Sequence, residues 1–206
     1  MKINYWHDFE EEQYYHIYNH AVSNQNLFET RLDYEEFLAK HHKYLSCFFD
    51  TVAYCLMPNH YHFVVKVKPL LTILKNTKKE KSNASTFFQN NKIDINTFVL
   101  DQYRRFFSSY SLAFNFRHNR QGQLFLKKFK RVSLSLDHKL LNMICYLHHN
   151  PIHHEFTLDY SEWKYSSYLN YISDSPDESI KKLIEEEFGG INAFLSFHEE
   201  YKKERM

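Results

Sequence analysis

Cysteine is scarce in this chain, and the three present, Cys47, Cys55 and Cys145, are odd in number and irregularly spaced. Each sits in an apolar setting, which speaks against a disulfide framework or a zinc knuckle and for buried reduced thiols. Long hydrophobic runs are missing too. No apolar stretch approaches the roughly 18 residues that a membrane helix needs, and the opening MKINYWHDFEEE lacks the apolar core of a secretory signal. The expectation is a cytoplasmic protein without a membrane partner. Net charge is also small: 26 basic and 25 acidic residues leave +1 with His neutral. The overall balance therefore announces no nucleic-acid partner, and charge must be read segment by segment.

What the chain does have is aromatic surface, 19 Phe and 16 Tyr in 206 residues. That length suits one domain able to bury most of its apolar surface, with a C-terminal extension. Residues 13–19 read as a first strand. Asp33 can cap a helix carrying Tyr34, Phe37, Leu38, Tyr44, Leu45, Phe48 and Phe49 at mostly helical spacing, up to about residue 49. Strands over about 51–57 and 60–67, joined at PNH, predict an antiparallel hairpin stopped by Pro69. A polar insertion occupies about 75–96, with a short helix at its start. Helical spacing returns over 98–117, an extended stretch follows Gly122, and a helix from Asp137 to about His149 ends before Pro151. A Tyr-rich, then acidic, helical tail follows. This order predicts an α+β fold, a ferredoxin-like antiparallel sheet with helices on one face plus the helical extension. The division expected is 1–155 for the main domain and 156–206 for the extension. Such a fold hosts many functions and cannot name one.

Chemistry is concentrated in LMPNHYHFVV, residues 56–65. His60 and His62 are one residue apart on a predicted strand, so both imidazoles project from one face with Cα atoms about 6.5–7 Å apart. At that separation they can close on one divalent ion, while Tyr61, Phe63 and Val65 pack on the other face. With 14 His in the chain, about one His-x-His triplet is expected by chance, so the pair alone proves little. Tyr146 and Asn150, in MICYLHHNP, are four apart on a predicted helix and share its face. An amide oxygen from Asn150 would make a hard donor set with the two imidazoles, suited to Mg²⁺ or Mn²⁺ rather than a closed zinc site. Tyr146 beside such an ion would be a nucleophile, although an aromatic in a helix is more often core.

A basic band runs from Gln102 to Leu136 without an acid: Arg104, Arg105, Arg117, Arg120, Lys127, Lys128, Lys130 and Arg131. It reads either as a solvated surface or as phosphate contacts interleaved with Phe125 and Phe129, which would face the core or unpaired bases.

Four pieces in order, YHIYNHAV with NLF downstream (15–28), YCLMPNHYHFVV (54–65), YSLAFNFRHNRQGQLFLKKFKR (110–131) and YLHHNP followed by EWKYSSYLNY (146–171), resemble the REP-associated tyrosine transposases, a branch of the single-tyrosine HUH transposases. The resemblance covers about three quarters of the chain. It implies that His60 and His62 are the HUH metal ligands with Asn150 as the amide ligand. Tyr146 would be the nucleophile of a metal-dependent cleavage and rejoining of single-stranded or hairpin DNA through a 5′-phosphotyrosine. The basic band, with Lys75, Lys78, Lys79 and Lys81 of the insertion, would meet phosphates. His20 departs from the Arg that the family often carries, and HHEF at 153–156 replaces a small-residue run, leaving His148, His149, His153 and His154 near the nucleophile as competing ligands or proton acceptors. Trp163, Ser166, Ser167 and Tyr168 are expected to pack the tail onto the sheet. A monomer is expected, with a homodimer as the alternative. Two other classes stay open: a non-catalytic nucleic-acid-binding derivative, and a metal-dependent nuclease that activates water.

Overall fold

Alternation along HYHFVVKV builds the sheet. In the computed structural model, which describes residues 4–23, 25–79, 95–134 and 137–205, this segment is β3 (His60–Val67). It pairs on one side with β2 (Phe49–Met57) and on the other with β1 (Tyr14–His20), and β4 (Lys130–Ser133) lies outside β1. All three pairings are antiparallel, and the succession β1, α1, β2, β3, α3, β4 makes a ferredoxin-like α+β sheet.

On one face Tyr15, Ile17, Tyr61, Phe63 and Val65 are buried beneath α1 (Arg31–Leu45) and α3 (Ile95–Arg117). The aromatic surplus is spent here. Phe37 is fully buried, its ring centroid 4.9 Å from those of both Phe106 and Tyr110, and each such pair adds about 0.5–1.5 kcal/mol beyond area burial. Phe125 and Phe129 belong to the same layer: they are 5% and 8% exposed and contact Phe107 and Tyr103 at 4.8 and 4.3 Å. They therefore pack the core rather than wait for bases.

The opposite face is covered as well. Ala53, Cys55, Met57 and Val64 meet α4 (Asp137–His153) and the tail, which forms α5 (Tyr168–Tyr171), α6 (Glu178–Leu183), a π-helical turn (Ile184–Phe188) and α7 (Ile191–Lys203). Helices α1 and α3 occupy the face expected for the helices of such a sheet, and Ile73 of the following α2 (Leu70–Lys79) joins their core. The three cysteines are buried and in no disulfide, and no described helix is long and apolar enough to cross a membrane.

Several element limits differ from the sequence expectation. The N-cap of α1 is Thr30, and Asp33 stands at the third helical position, its Oδ2 accepting from the Thr30 N–H at 2.7 Å. The helix stops at Leu45, because Phe49 already pairs with Val67 in the sheet. A helix after Pro69, α2 (Leu70–Lys79), takes up the start of the polar insertion, and α3 begins at Ile95; the rest of the insertion, with Lys81, lies outside the described residues. Of the extended stretch expected over 124–136, the described residues 124–134 form a strand at 130–133 only. Helix α4 does not end before Pro151 but runs through it to His153. Pro151 has no N–H to give the Leu147 carbonyl, and the helix ends two residues after it.

The tail pairs with the free edge of β2. Leu56 N–H donates to the Tyr165 carbonyl at 2.9 Å, Ser167 N–H to the Tyr54 carbonyl at 2.9 Å, and the Trp163 indole N–H to the Leu56 carbonyl at 3.0 Å. An edge that would otherwise invite aggregation is thereby satisfied within the chain. Inside this layer His148 bridges α4 and the tail, 2.9 Å from His198 and 2.9 Å from Ser167 Oγ.

Enclosed imidazoles make stability pH-dependent. Burial pushes His198 down to about 4 and His41 to about 3, against about 6.5 in an unfolded chain. Below that unfolded value the unfolded state binds protons that the native state refuses. Stability should be complete above about pH 7 and fall as pH drops from 6.5 towards 4, by up to about 1.4 kcal/mol per pH unit for each imidazole. Urea midpoints measured between pH 7.5 and 4.5 check this, and His198→Gln should remove its share of the slope. A midpoint indifferent to pH over that range would contradict it.

Candidate active site

Register places the two histidines of β3. His60 lies opposite His20 of β1 and Met57 of β2, and His62 opposite Tyr18 and Cys55. Both project to the face that α4 approaches, their ring centroids 5.1 Å apart. Position 16 on β1 shares this face by alternation, so the ring of His16 lies nearly parallel to that of His62 with centroids 5.1 Å apart, and that of His20 stacks 4.9 Å from His60.

The outer nitrogens of the pair are anchored. Asn59 Oδ1 lies 2.7 Å from His60 Nδ1, and as a carbonyl oxygen it accepts; the proton then sits on Nδ1, and the lone pair on Nε2. His62 Nδ1 lies 2.8 Å from His16 Nε2. Burial, with His20 and His154 adding repulsion, lowers His60 to about 4; burial and the neighbouring His16 and His60 push His62 well below its ordinary value; burial alone lowers His16 to about 3. All three rings are neutral at pH 7, the form in which imidazole binds metal.

Helix α4 brings Tyr146 and Asn150 to the same place. The Tyr146 ring stands edge-on to His62 at 5.6 Å and to His16 at 6.2 Å, and the residue is 37% exposed. Asn150 is 1% exposed. Its Nδ2 donates to the Tyr146 carbonyl at 2.8 Å, and its side chain stands close enough to His60 to oppose the fall in that imidazole's pKa. Its buried Oδ1 has no hydrogen-bond partner among the described residues. Such an orphan costs about 1–3 kcal/mol, which a ligand at that oxygen would recover. No three His, Cys, Asp or Glu side chains among the described residues form a metal cage, so a cation here depends on the amide as third protein donor. Two imidazole nitrogens and one amide oxygen fit a hard, open-sided divalent ion.

A cavity of about 400 Å³ is lined by Tyr18, His20, His60, His62, Tyr146 and His154 among others, while Asn150 lines a second cavity that Tyr146 shares. His154 approaches His60 to 5.3 Å between ring centroids. Of the other crowding histidines, His148 is engaged with His198 and Ser167, whereas His149, 3.3 Å from the Tyr160 hydroxyl, and the exposed His153 line the second cavity with Tyr146 and Asn150.

The basic band divides into two sets. Arg117 pairs with Asp33 and Glu36, and Arg131 is 8% exposed with its Nε donating to the His7 carbonyl, so both are committed inside the fold. Arg104 and Arg105 are exposed but share Asp101, which lies one residue outside the acid-free window, and Arg120 bonds Asn115 and Gln25. Lys127 and Lys128 are exposed; Lys128 Nζ lies 5.8 Å above the Trp6 ring. Lys130, opposite Tyr18 in the β1–β4 pairing, sits 5.3 Å above that ring and so joins the band to the His cluster. Lys75 is exposed on α2; the side chains of Lys78 and Lys79 lie outside the described residues.

Sequence reasoning missed His16 and Asn59. For His16 the signal was present, since residues 16, 18 and 20 of YHIYNH alternate onto one face just as 60 and 62 do. What was missing was the strand register that sets the two faces against each other.

No family model matches the chain, and no curated protein matches it. Among solved structures the chain is similar to a REP-associated tyrosine transposase bound to a REP hairpin. The TM-score is 0.59 at 11% identity, covering 84% of this chain and 87% of that one. The shared feature at this identity is the fold.

Proposed function

We propose that the protein cleaves and rejoins single-stranded DNA next to a hairpin, with Tyr146 as nucleophile and His60, His62 and Asn150 as ligands of Mg²⁺ or Mn²⁺. The observation that carries this reading is that an exposed phenol and two neutral imidazoles line one cavity, with the orphaned amide oxygen of Asn150 on the side chain that stands beside His60. A fold like that of a hairpin-bound transposase agrees with it. When bound, the cation supplies Lewis-acid stabilisation of the charge that builds on a scissile phosphate.

The chain's own residues do the rest. The Tyr146 oxygen attacks phosphorus and loses its proton, the P–O3′ bond breaks, the 3′-hydroxyl leaves and a 5′-phosphotyrosine forms. A second 3′-hydroxyl attacking that link restores the phenol and joins strands. A phenol of ordinary pKa about 10 needs a proton acceptor at neutral pH. The cavity offers His20 and His154, both held below the usual imidazole value chiefly by burial and so neutral. Lys127, Lys128 and Lys130, with Arg104, Arg105 and Arg120, are the cations placed to meet DNA phosphates; Arg117 and Arg131 brace the fold beneath them.

The experiment is covalent trapping. Wild-type protein with Mn²⁺ and a hairpin carrying a single-stranded tail should give a complex that survives denaturant. EDTA should abolish it, and Asn150→Ala should lower its yield about 10- to 100-fold through weaker metal binding. Retention of the hairpin without any adduct would favour a DNA-binding derivative instead.

A further inference from the structure

We infer that His16 is a positioning residue for the metal site: by accepting a hydrogen bond from His62 Nδ1–H, it holds that imidazole in the tautomer whose Nε2 can ligate a cation. The inference rests on the reading of His62 as a ligand and adds to it a second layer, contributed by another strand.

The two ring nitrogens are 2.8 Å apart, and both residues are almost wholly buried, so neither ring can turn to water for a partner. A single proton bridges them. If His16 donates it, His62 Nδ1 is the acceptor, His62 Nε2 carries the other proton, and the nitrogen facing the site cannot bind a metal. If His62 donates, its Nε2 holds a lone pair. Ligation at Nε2 makes Nδ1–H a stronger donor, so metal binding and this hydrogen bond reinforce each other. His60 has the equivalent anchor in Asn59, whose oxygen can only accept. Anchoring at His62 is less absolute, because an imidazole can act either way, and that makes the identity of residue 16 decisive.

Orientation is fixed as well as protonation. The His16 ring lies nearly parallel to Tyr18, 4.7 Å away, and to its hydrogen-bonded partner His62, 5.1 Å away between centroids, and meets the Tyr146 ring edge-on. It therefore touches both the ligand and the nucleophile while standing behind the cavity that they line.

The test uses the full chain with two readouts. In metal-free protein, long-range ¹H–¹⁵N spectra, with His62 assigned by its loss in His62→Gln, should show the Nδ1–H tautomer for His62 in wild type and in His16→Gln, and a mixture in His16→Phe. Mn²⁺ titrations followed by EPR of the free ion should show affinity about 10- to 100-fold weaker in His16→Phe. His16→Gln, which keeps an acceptor oxygen, should recover most of it. Should the Phe variant not fold, wild type and His16→Gln still decide through the tautomer. An Nε2–H tautomer in wild type, or unchanged Mn²⁺ affinity in a folded His16→Phe, overturns the inference. Equal Mn²⁺ binding by wild type and His60→Ala would overturn the metal site itself, and is recognisable as that separate failure.

Discussion

Tyr146→Phe should leave the protein folded and able to hold hairpin DNA, but form no denaturant-resistant adduct and cleave at least about 10³-fold more slowly. The substitution deletes one oxygen. The ring that meets His16 and His62 edge-on remains, as does the backbone carbonyl that accepts from Asn150, so the cavity keeps its shape. Gel-resolved cleavage of an end-labelled tailed hairpin with Mn²⁺ reads both products and adduct. Persistence of cleavage near the wild-type rate, with the loss confined to His60→Ala, would assign the chemistry to an activated water and refute the phosphotyrosine route.

Asp33→Ala should cost about 3–5 kcal/mol of stability, on the order of 10 °C in Tm for a domain of this size. Asp33 is fully buried. Its Oδ2 accepts from the backbone N–H groups of Glu29 at 3.0 Å and Thr30 at 2.7 Å, its Oδ1 pairs with Arg117, and His118 Nε2 lies 3.0 Å away. Removing the carboxylate leaves Arg117 with Glu36 alone and His118 with Glu29 alone, and opens the first turn of α1 at the same time. Burial by itself would raise this carboxyl's pKa, but hydrogen bonds from His118 and the backbone bring it below the ordinary value. The contribution is therefore present above the unfolded carboxyl's pKa and lost as pH falls through the lower native one. Asp33→Asn, which keeps the shape and part of the bonding, should fall between wild type and Ala. Urea unfolding at pH 7 gives the comparison; a loss under about 1 kcal/mol would mean that the cluster behaves like a surface ion pair.

Short-range periodicity made much of this molecule readable. The period of two over 60–67 put His60 and His62 on one face and the core residues on the other; the spacing of 3.6 put Tyr146 and Asn150 together on α4. The resemblance to a known family joined strand to helix, which spacing could not do. Long-range geometry stayed hidden. Arg117 looked like part of a phosphate-binding band because its acids, Asp33 and Glu36, are more than 80 positions upstream. His16 looked like any strand residue, because a one-residue slip in the β1–β3 register would have turned it into the opposite core. Helix α4 passes Pro151 and ends two residues later, whereas the residue pattern alone suggested a stop before it.

The covering of the sheet is lopsided. Helix α4 packs chiefly on β2 and β3, while Tyr18 on β1 and Lys130 on β4 remain only half-buried. Tyr146 thus stands on the boundary between roofed and unroofed strands. A polynucleotide laid along β1 and β4 would meet the phenol from one flank only, with α4 as a wall behind it. On the proposed reading, an approach from one flank would give the polynucleotide a polarity, its 5′ and 3′ directions not interchangeable, and the released piece would depart over β1 and β4.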